Sequence, residues 1–132
     1  MRIGAIDIGT NTVLLLVAEL ENGALVAVEE RATITRLGEG VDKTRELKAE
    51  AIARTSAALD DYAEITRALG VRKMAVVGTS AMRDARGGEK IRAHVKEKFG
   101  VDARVLSGDE EARMTFAGAL SGLDVRTSDD IA

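Results

Sequence analysis

The sequence predicts an α/β protein, a mixed five-stranded sheet flanked by helices in the order βββαβαβα. Three observations carry this expectation. Residues 1–35 hold three runs rich in Val, Ile and Leu separated by short Gly- and Asn-bearing links, the pattern of an antiparallel meander. From Ile52 onward the apolar residues recur at three- and four-residue steps, the period of an amphipathic helix. Beyond that helix, short apolar runs at Met74–Val77 and Ala103–Leu106 alternate with helical stretches, as they do where βα units build a parallel sheet.

Each element has its own signal. Arg2–Gly9, Thr12–Leu20 and Ala24–Thr35 read as strands, joined by Gly9-Thr10-Asn11 and by Glu21-Asn22-Gly23 with its Asn-Gly turn. A Gly-rich stretch, Arg36-Leu37-Gly38-Glu39-Gly40, ends the meander. Ile52, Thr55, Leu59, Tyr62, Ile65, Thr66 and Leu69 mark a long helix, which Gly70 stops. Met74–Val77 is the all-apolar run of a strand covered on both faces; Gly78 follows it, and Thr79 or Ser80 can cap the next helix. Gly87-Gly88 breaks that helix, Glu89–Phe99 forms another, and Gly100 ends it before the strand at Ala103. Ser107 opens the last helix, where Ala112, Phe116, Ala119, Leu120 and Leu123 form a core-facing stripe. Residues 1–125 are expected to form one unit, with 126–132 a tail.

Composition narrows the functional classes. The 132 residues are 45% apolar and 31% charged, an ordinary globular balance, and with Tyr62, Phe99 and Phe116 the only aromatics the core must be aliphatic. The absence of cysteine excludes a disulfide framework, a thiolate zinc site and a cysteine nucleophile. The single histidine, His94, lies in a charged helical stretch and is expected to face solvent. The longest apolar run, Val13–Ala18, is far short of the roughly 20 residues of a membrane span, and Asp7 interrupts any signal peptide, so a cytoplasmic protein without membrane contact is expected. A net charge of −3 argues against non-specific nucleic-acid binding. An anionic ligand would have to be held by local geometry instead.

Four segments can carry chemistry. Ser107-Gly-Asp-Glu110-Glu111-Ala-Arg113 has the spacing of a capping box, in which Ser107 and Glu110 satisfy each other's backbone N–H groups. Glu111 then lies off the apolar stripe, either as one of the acidic residues common in a first helical turn or as a catalytic carboxylate. Asp7-Ile-Gly9-Thr10-Asn11-Thr12 reads equally as a plain hairpin or as a concave turn whose N–H groups hold a phosphate. Gly78-Thr-Ser-Ala-Met-Arg83-Asp84 runs from the carboxyl end of a buried strand into a helix, where open α/β folds tend to bind ligands. Arg83 there is either a solvated charge or an anion contact, and Arg36 beside its glycines leaves the same alternatives open.

With these four segments in this order the chain resembles the start of the exopolyphosphatase and guanosine pentaphosphate phosphohydrolase (Ppx/GppA) family, within the actin-like superfamily. The Asp7–Thr12 turn is shared loosely across that superfamily, whereas Arg36-Leu-Gly-Glu-Gly40, Thr79-Ser-Ala-Met-Arg83 and Ser107–Arg113 look specific to this branch. The resemblance implies a ribonuclease-H-like subdomain and removal of a terminal phosphate from inorganic polyphosphate or guanosine pentaphosphate with magnesium, the metal ligands being unassigned. It further implies Glu111 as the general base that activates water, Asp7, Gly9, Thr10, Asn11 and Thr12 as the phosphate-facing loop, and Arg83 and Arg36 as phosphate contacts. A homodimer is implied for the complete enzyme.

In the family this unit is followed by a second half-domain that opens with an Asp-Gly-Gly-Gly phosphate loop, and the given sequence stops at Ala132 before any such motif. The chain is therefore expected to be the N-terminal part of a longer enzyme and inactive by itself. Two rival classes remain: an ATP-dependent phosphotransferase of the acetate- or sugar-kinase type, which would share the Asp7 turn, and a non-catalytic phosphate-binding module that keeps the fold.

Overall fold

The computed structural model describes residues 1–79, 82 and 84–105. Five strands, β1 (Arg2–Ile8), β2 (Thr12–Glu21), β3 (Ala24–Ile34), β4 (Lys73–Gly78) and β5 (Arg104–Val105), form one sheet in the order β3-β2-β1-β4-β5. β1, β2 and β3 are antiparallel neighbours, while β4 runs parallel to β1 and β5 parallel to β4. This is the mixed five-stranded sheet that the sequence pattern predicts, in the ribonuclease-H-like arrangement that the family resemblance implies.

Local chemistry explains the meander. Asn22 and Gly23 form a two-residue link between Glu21 and Ala24, with φ of 51° and 78°, and positive φ at both positions matches the twist of an antiparallel hairpin. Pairing of Ile8 with Val13 sets the β1/β2 register at the opposite end. On β3, Val17 faces Glu29 but Ala18 faces Ala27, so Val28 is the extra residue of a bulge.

The sheet buries both faces unequally. Ile6, Ile8, Val13, Leu15 and Val17 pack against Leu59 and Tyr62 of helix α2 (Ala49–Ala68) and against Ile91 and Val95 of helix α3 (Gly88–Phe99). The other face carries a smaller cluster of Ile3, Ala5, Leu16 and Ala18 with Leu25. The stripe expected on α2 is the buried one: Thr55, Leu59, Tyr62 and Thr66 all point inward, and the two threonines satisfy their hydroxyls on the carbonyls of Ala51 (2.9 Å) and Ala63 (3.0 Å). Among the described residues no helix is long and apolar enough to cross a membrane.

Two features depart from the sequence reading. A short helix α1 (Val41–Thr44) follows Gly40, too brief for any hydrophobic period to announce it. His94 does not simply face solvent: its Nε2 lies 2.7 Å from the Asp60 carboxylate on α2, its side chain is 21% exposed, and Lys98 reaches the same carboxylate at 3.7 Å. The reason is positional. His94 neighbours the Ile91/Val95 stripe on the helix surface, and that edge of α3 lies against α2. Of the helix expected after Thr79, only Met82 and Asp84 are described, both helical. The helix from Ser107 and the 126–132 tail lie outside the described residues.

Candidate functional site

Topology gathers three connections at one end of the sheet. β1, β3 and β4 share a direction, so the β1–β2 turn, the segment after β3 and the segment after β4 all leave from the same edge. Asp7 is the penultimate residue of β1, half-buried, opposite Leu14 on β2 and Val77 on β4. The turn that follows is closed by the Gly9 N–H donating to the Thr12 carbonyl at 3.0 Å. Thr10 and Asn11 are exposed at its tip.

The segment after β3 is fastened directly onto that turn. The N–H groups of Thr35 and Arg36 both donate to the Asn11 carbonyl at 3.0 Å, and the Gly38 N–H donates to the Thr10 carbonyl at 2.9 Å. With its carbonyls turned inward in this way, the turn directs the N–H groups of Thr10 and Asn11 elsewhere; neither donates to a backbone carbonyl among the described residues. N–H groups of a tight turn that are not spent on backbone carbonyls suit an anion. Gly38 is demanded by the close approach, since a β-carbon there would collide with Thr10 Cγ2. Leu37, fully buried, anchors the segment in the core, and Arg36 beside it is exposed with φ of 48°.

The segment after β4 continues the same edge. The Thr79 N–H donates to the Ile8 carbonyl at 3.2 Å, and the Thr79 hydroxyl is buried with no hydrogen-bond partner among the described residues. Met82, fully buried, is pinned through its carbonyl, which accepts from Arg92 Nη1 at 2.7 Å. Gly88 packs on that same carbonyl, where a β-carbon would have no room. Further on, Arg86 donates its N–H to the Arg45 carbonyl and accepts from the Leu47 N–H, each at 2.9 Å, and its guanidinium lies 3.5 Å from Glu46. The segments after β3 and β4 are thereby stitched together.

The structure thus brings Asp7, Gly9, Thr10, Asn11, Thr12 and Arg36 into one loop assembly, and Arg83 and Glu111 lie outside the described residues. Arg54, Gly38 and Thr79 were not singled out as site residues by sequence reasoning. Gly38 and Thr79 stood inside motifs already noted, so a signal existed, but only a contact in space reveals Arg54. Its Nε donates to the Thr35 carbonyl at 2.8 Å, and its Nη2 lies 3.4 Å from Glu39, which Lys48 approaches at 3.9 Å.

A metal must be tested against the donors present. Among the described residues no group of three or more His, Cys, Asp or Glu side chains could hold an ion. Asp7 with the hydroxyls of Thr10 and Thr12 is a hard-oxygen set, and magnesium commonly takes one or two carboxylates and completes its shell with water and substrate phosphate. These donors would suit a divalent cation that draws the rest of its shell from water and substrate rather than from a protein-only cage.

Residues 16–131 match the model of the Ppx/GppA phosphatase family. The chain is 40% identical over 131 residues to exopolyphosphatase 2 of Mycobacterium tuberculosis, covering 92% of this chain and 41% of that protein. A crystal structure of the Aquifex aeolicus Ppx/GppA family member superposes with a TM-score of 0.78 at 33% identity, covering 86% of this chain and 37% of the other. An exopolyphosphatase from Cytophaga hutchinsonii gives 0.78 at 29% identity, covering 85% and 36%. The chain spans about two-fifths of the length of the mycobacterial exopolyphosphatases it matches.

Proposed function

The chain belongs to the Ppx/GppA phosphatase family, and we propose that it forms the N-terminal half, residues 1–125, of the cleft of an enzyme that hydrolyses the terminal phosphoanhydride of inorganic polyphosphate or guanosine pentaphosphate. The observation that carries this reading is the fastening of the Arg36 segment onto the Asp7–Thr12 turn through Gly38, Thr35 and Arg36 amides. It gathers Thr10, Asn11, Thr12 and Arg36 at one loop edge, and their N–H, hydroxyl and guanidinium groups are the kinds of donor a polyanion requires.

In this reading the Thr10 and Asn11 N–H groups and the Thr10 and Thr12 hydroxyls donate to phosphate oxygens, and Gly9 closes the turn that aims them. Arg36 and Arg83 grip further phosphates. Asp7 would hold a magnesium ion, which would supply charge neutralisation on the phosphate oxygens. Glu111 takes the proton of the attacking water as its oxygen bonds to the terminal phosphorus, and the bridging oxygen departs with the shortened chain. Phosphoryl transfer of this kind depends mainly on positioning and charge stabilisation, with one carboxylate to orient the nucleophile. We further propose that a second half-domain completes the cleft, that the complete enzyme is a cytoplasmic homodimer, and that the 132-residue chain alone does not turn over substrate.

The test is phosphate release by the full-length protein from long-chain polyphosphate and from guanosine pentaphosphate, with magnesium. Release from either, absent in the 1–132 chain, is the expected result. Phosphate transfer from ATP to acetate or a sugar would replace this reading with the kinase-type one. Binding of polyphosphate with no turnover would point to a non-catalytic module.

A further inference from the structure

We propose that Arg54 is a positioning residue for the anion site, acting through the backbone on either side of Arg36; this rests on the reading of the 9–12 turn and Arg36 as the phosphate cradle. Arg54 sits on α2 with its side chain 32% exposed. Its Nε donates to the Thr35 carbonyl at 2.8 Å, and its Nη2 lies 3.5 Å from the Arg36 carbonyl and 3.4 Å from Glu39 Oε1. The peptide between Thr35 and Arg36 is therefore held on both sides, its carbonyl by Arg54 and its N–H by the Asn11 carbonyl at 3.0 Å.

The geometry has a conformational consequence. In an extended chain successive carbonyls point to opposite sides, so one guanidinium can approach two of them in a row only if the residue between has left the strand conformation. Arg36 is that residue, and its φ of 48° lies in the left-handed region that side chains other than glycine seldom adopt. Arg54 stabilises this unfavourable backbone and with it the direction in which the Arg36 side chain leaves the loop. Its own position comes from the core, because α2 is fixed by buried Thr55, Leu59 and Tyr62. A lysine could meet one carbonyl as a point charge but could not reproduce the planar fork.

The test compares Arg54→Ala, Arg54→Lys and Glu39→Gln in the full-length protein by amide hydrogen exchange and by kinetics on tripolyphosphate. Loss of charge-assisted hydrogen bonds in Arg54→Ala is expected to speed exchange at the Arg36 and Gly38 amides by about tenfold while Leu59 and Tyr62 keep their rates. KM for tripolyphosphate should rise by about tenfold with a smaller change in kcat, and Arg54→Lys should recover only part of it. Exchange unchanged at Arg36 and Gly38, or raised uniformly along α2, would overturn the proposal, as would faster local exchange with an unaltered KM. If Arg54→Ala does not fold, the same readouts on Arg54→Lys and Glu39→Gln decide. An inactive wild-type protein would overturn the phosphohydrolase reading instead, and the exchange rates alone would then judge whether Arg54 holds the segment.

Discussion

Gly38 and Thr10, on loops that follow different strands, meet so closely that no side chain fits between them. The Gly38 N–H donates to the Thr10 carbonyl at 2.9 Å, and a β-carbon on Gly38 would strike the Thr10 γ-methyl. Gly38→Ala is therefore expected to destabilise the protein by about 1–3 kcal/mol, the usual range for overpacking. Thr10→Ser removes the methyl but keeps the hydroxyl, so the double variant should regain most of that loss. Urea unfolding of the four proteins in a double-mutant cycle measures the coupling, and additive effects would mean that the Thr10 γ-methyl is not what excludes a side chain at position 38.

How far these relationships could be read beforehand depended on the range of the interaction. Asn22-Gly23, the α2 stripe and the glycine after α3 are decided within a few residues, and there the pattern and the structure agree. The link between the Arg36 segment and the 9–12 turn spans more than a strand and rests on backbone amides, which carry no residue-specific signature. Arg54 has a side chain that composition treats as one more surface charge, and its partners are carbonyls. His94 escapes a sequence reading for a related reason: Lys90, Arg92, Lys96 and Lys98 make its stretch a charged one, but its partner Asp60 is on another helix.

Tyr62 ties α2 to the strands behind the turn. Its hydroxyl donates to the Val13 carbonyl at 2.9 Å and lies 2.7 Å from the Thr33 hydroxyl. Tyr62→Phe should cost about 1–3 kcal/mol at neutral pH, because a buried carbonyl loses its donor. Burial also pushes the Tyr62 phenol above its ordinary value of 10.0. The folded protein thus holds this proton more tightly than the unfolded chain does. The resulting stability is complete below about pH 10 and is lost as pH rises through the folded value. Urea midpoints at neutral and alkaline pH should show a steeper alkaline decline in the wild type than in Tyr62→Phe; equal slopes would count against the assignment.

Glu110 and Glu111 are adjacent in sequence but are assigned different work. In the full-length enzyme Glu111→Gln should retain the shape of the site and lose the base, lowering turnover by about 10²–10⁴-fold. Glu110→Gln should weaken the cap on Ser107 and act on stability, by at most about 0.5–2 kcal/mol if the cap were lost outright. Steady-state kinetics with thermal melts separate the two. Abolished turnover in the Glu110 variant alongside an active Glu111 variant would exchange their roles.

Arg83 is where an ordinary surface charge and a substrate contact make opposite demands. The residue before it, Met82, is fully buried, and its carbonyl is gripped by Arg92 at 2.7 Å, so the backbone leading into Arg83 is held from two sides by core and helix. A solvated arginine would let Arg83→Ala change stability by no more than about 0.5 kcal/mol and leave catalysis untouched. A phosphate-gripping arginine predicts unchanged melting temperature with a loss in kcat/KM on polyphosphate. Arg83→Lys would then recover only part of it, since a point charge does not replace a bidentate fork. Removing the Arg92 grip with Arg92→Met should then produce a milder loss of the same kind, because it frees the carbonyl of Met82, the residue before Arg83. Wild-type efficiency in Arg83→Ala would take Arg83 out of the site and leave Arg36 and the 9–12 turn as the phosphate contacts of this half of the cleft.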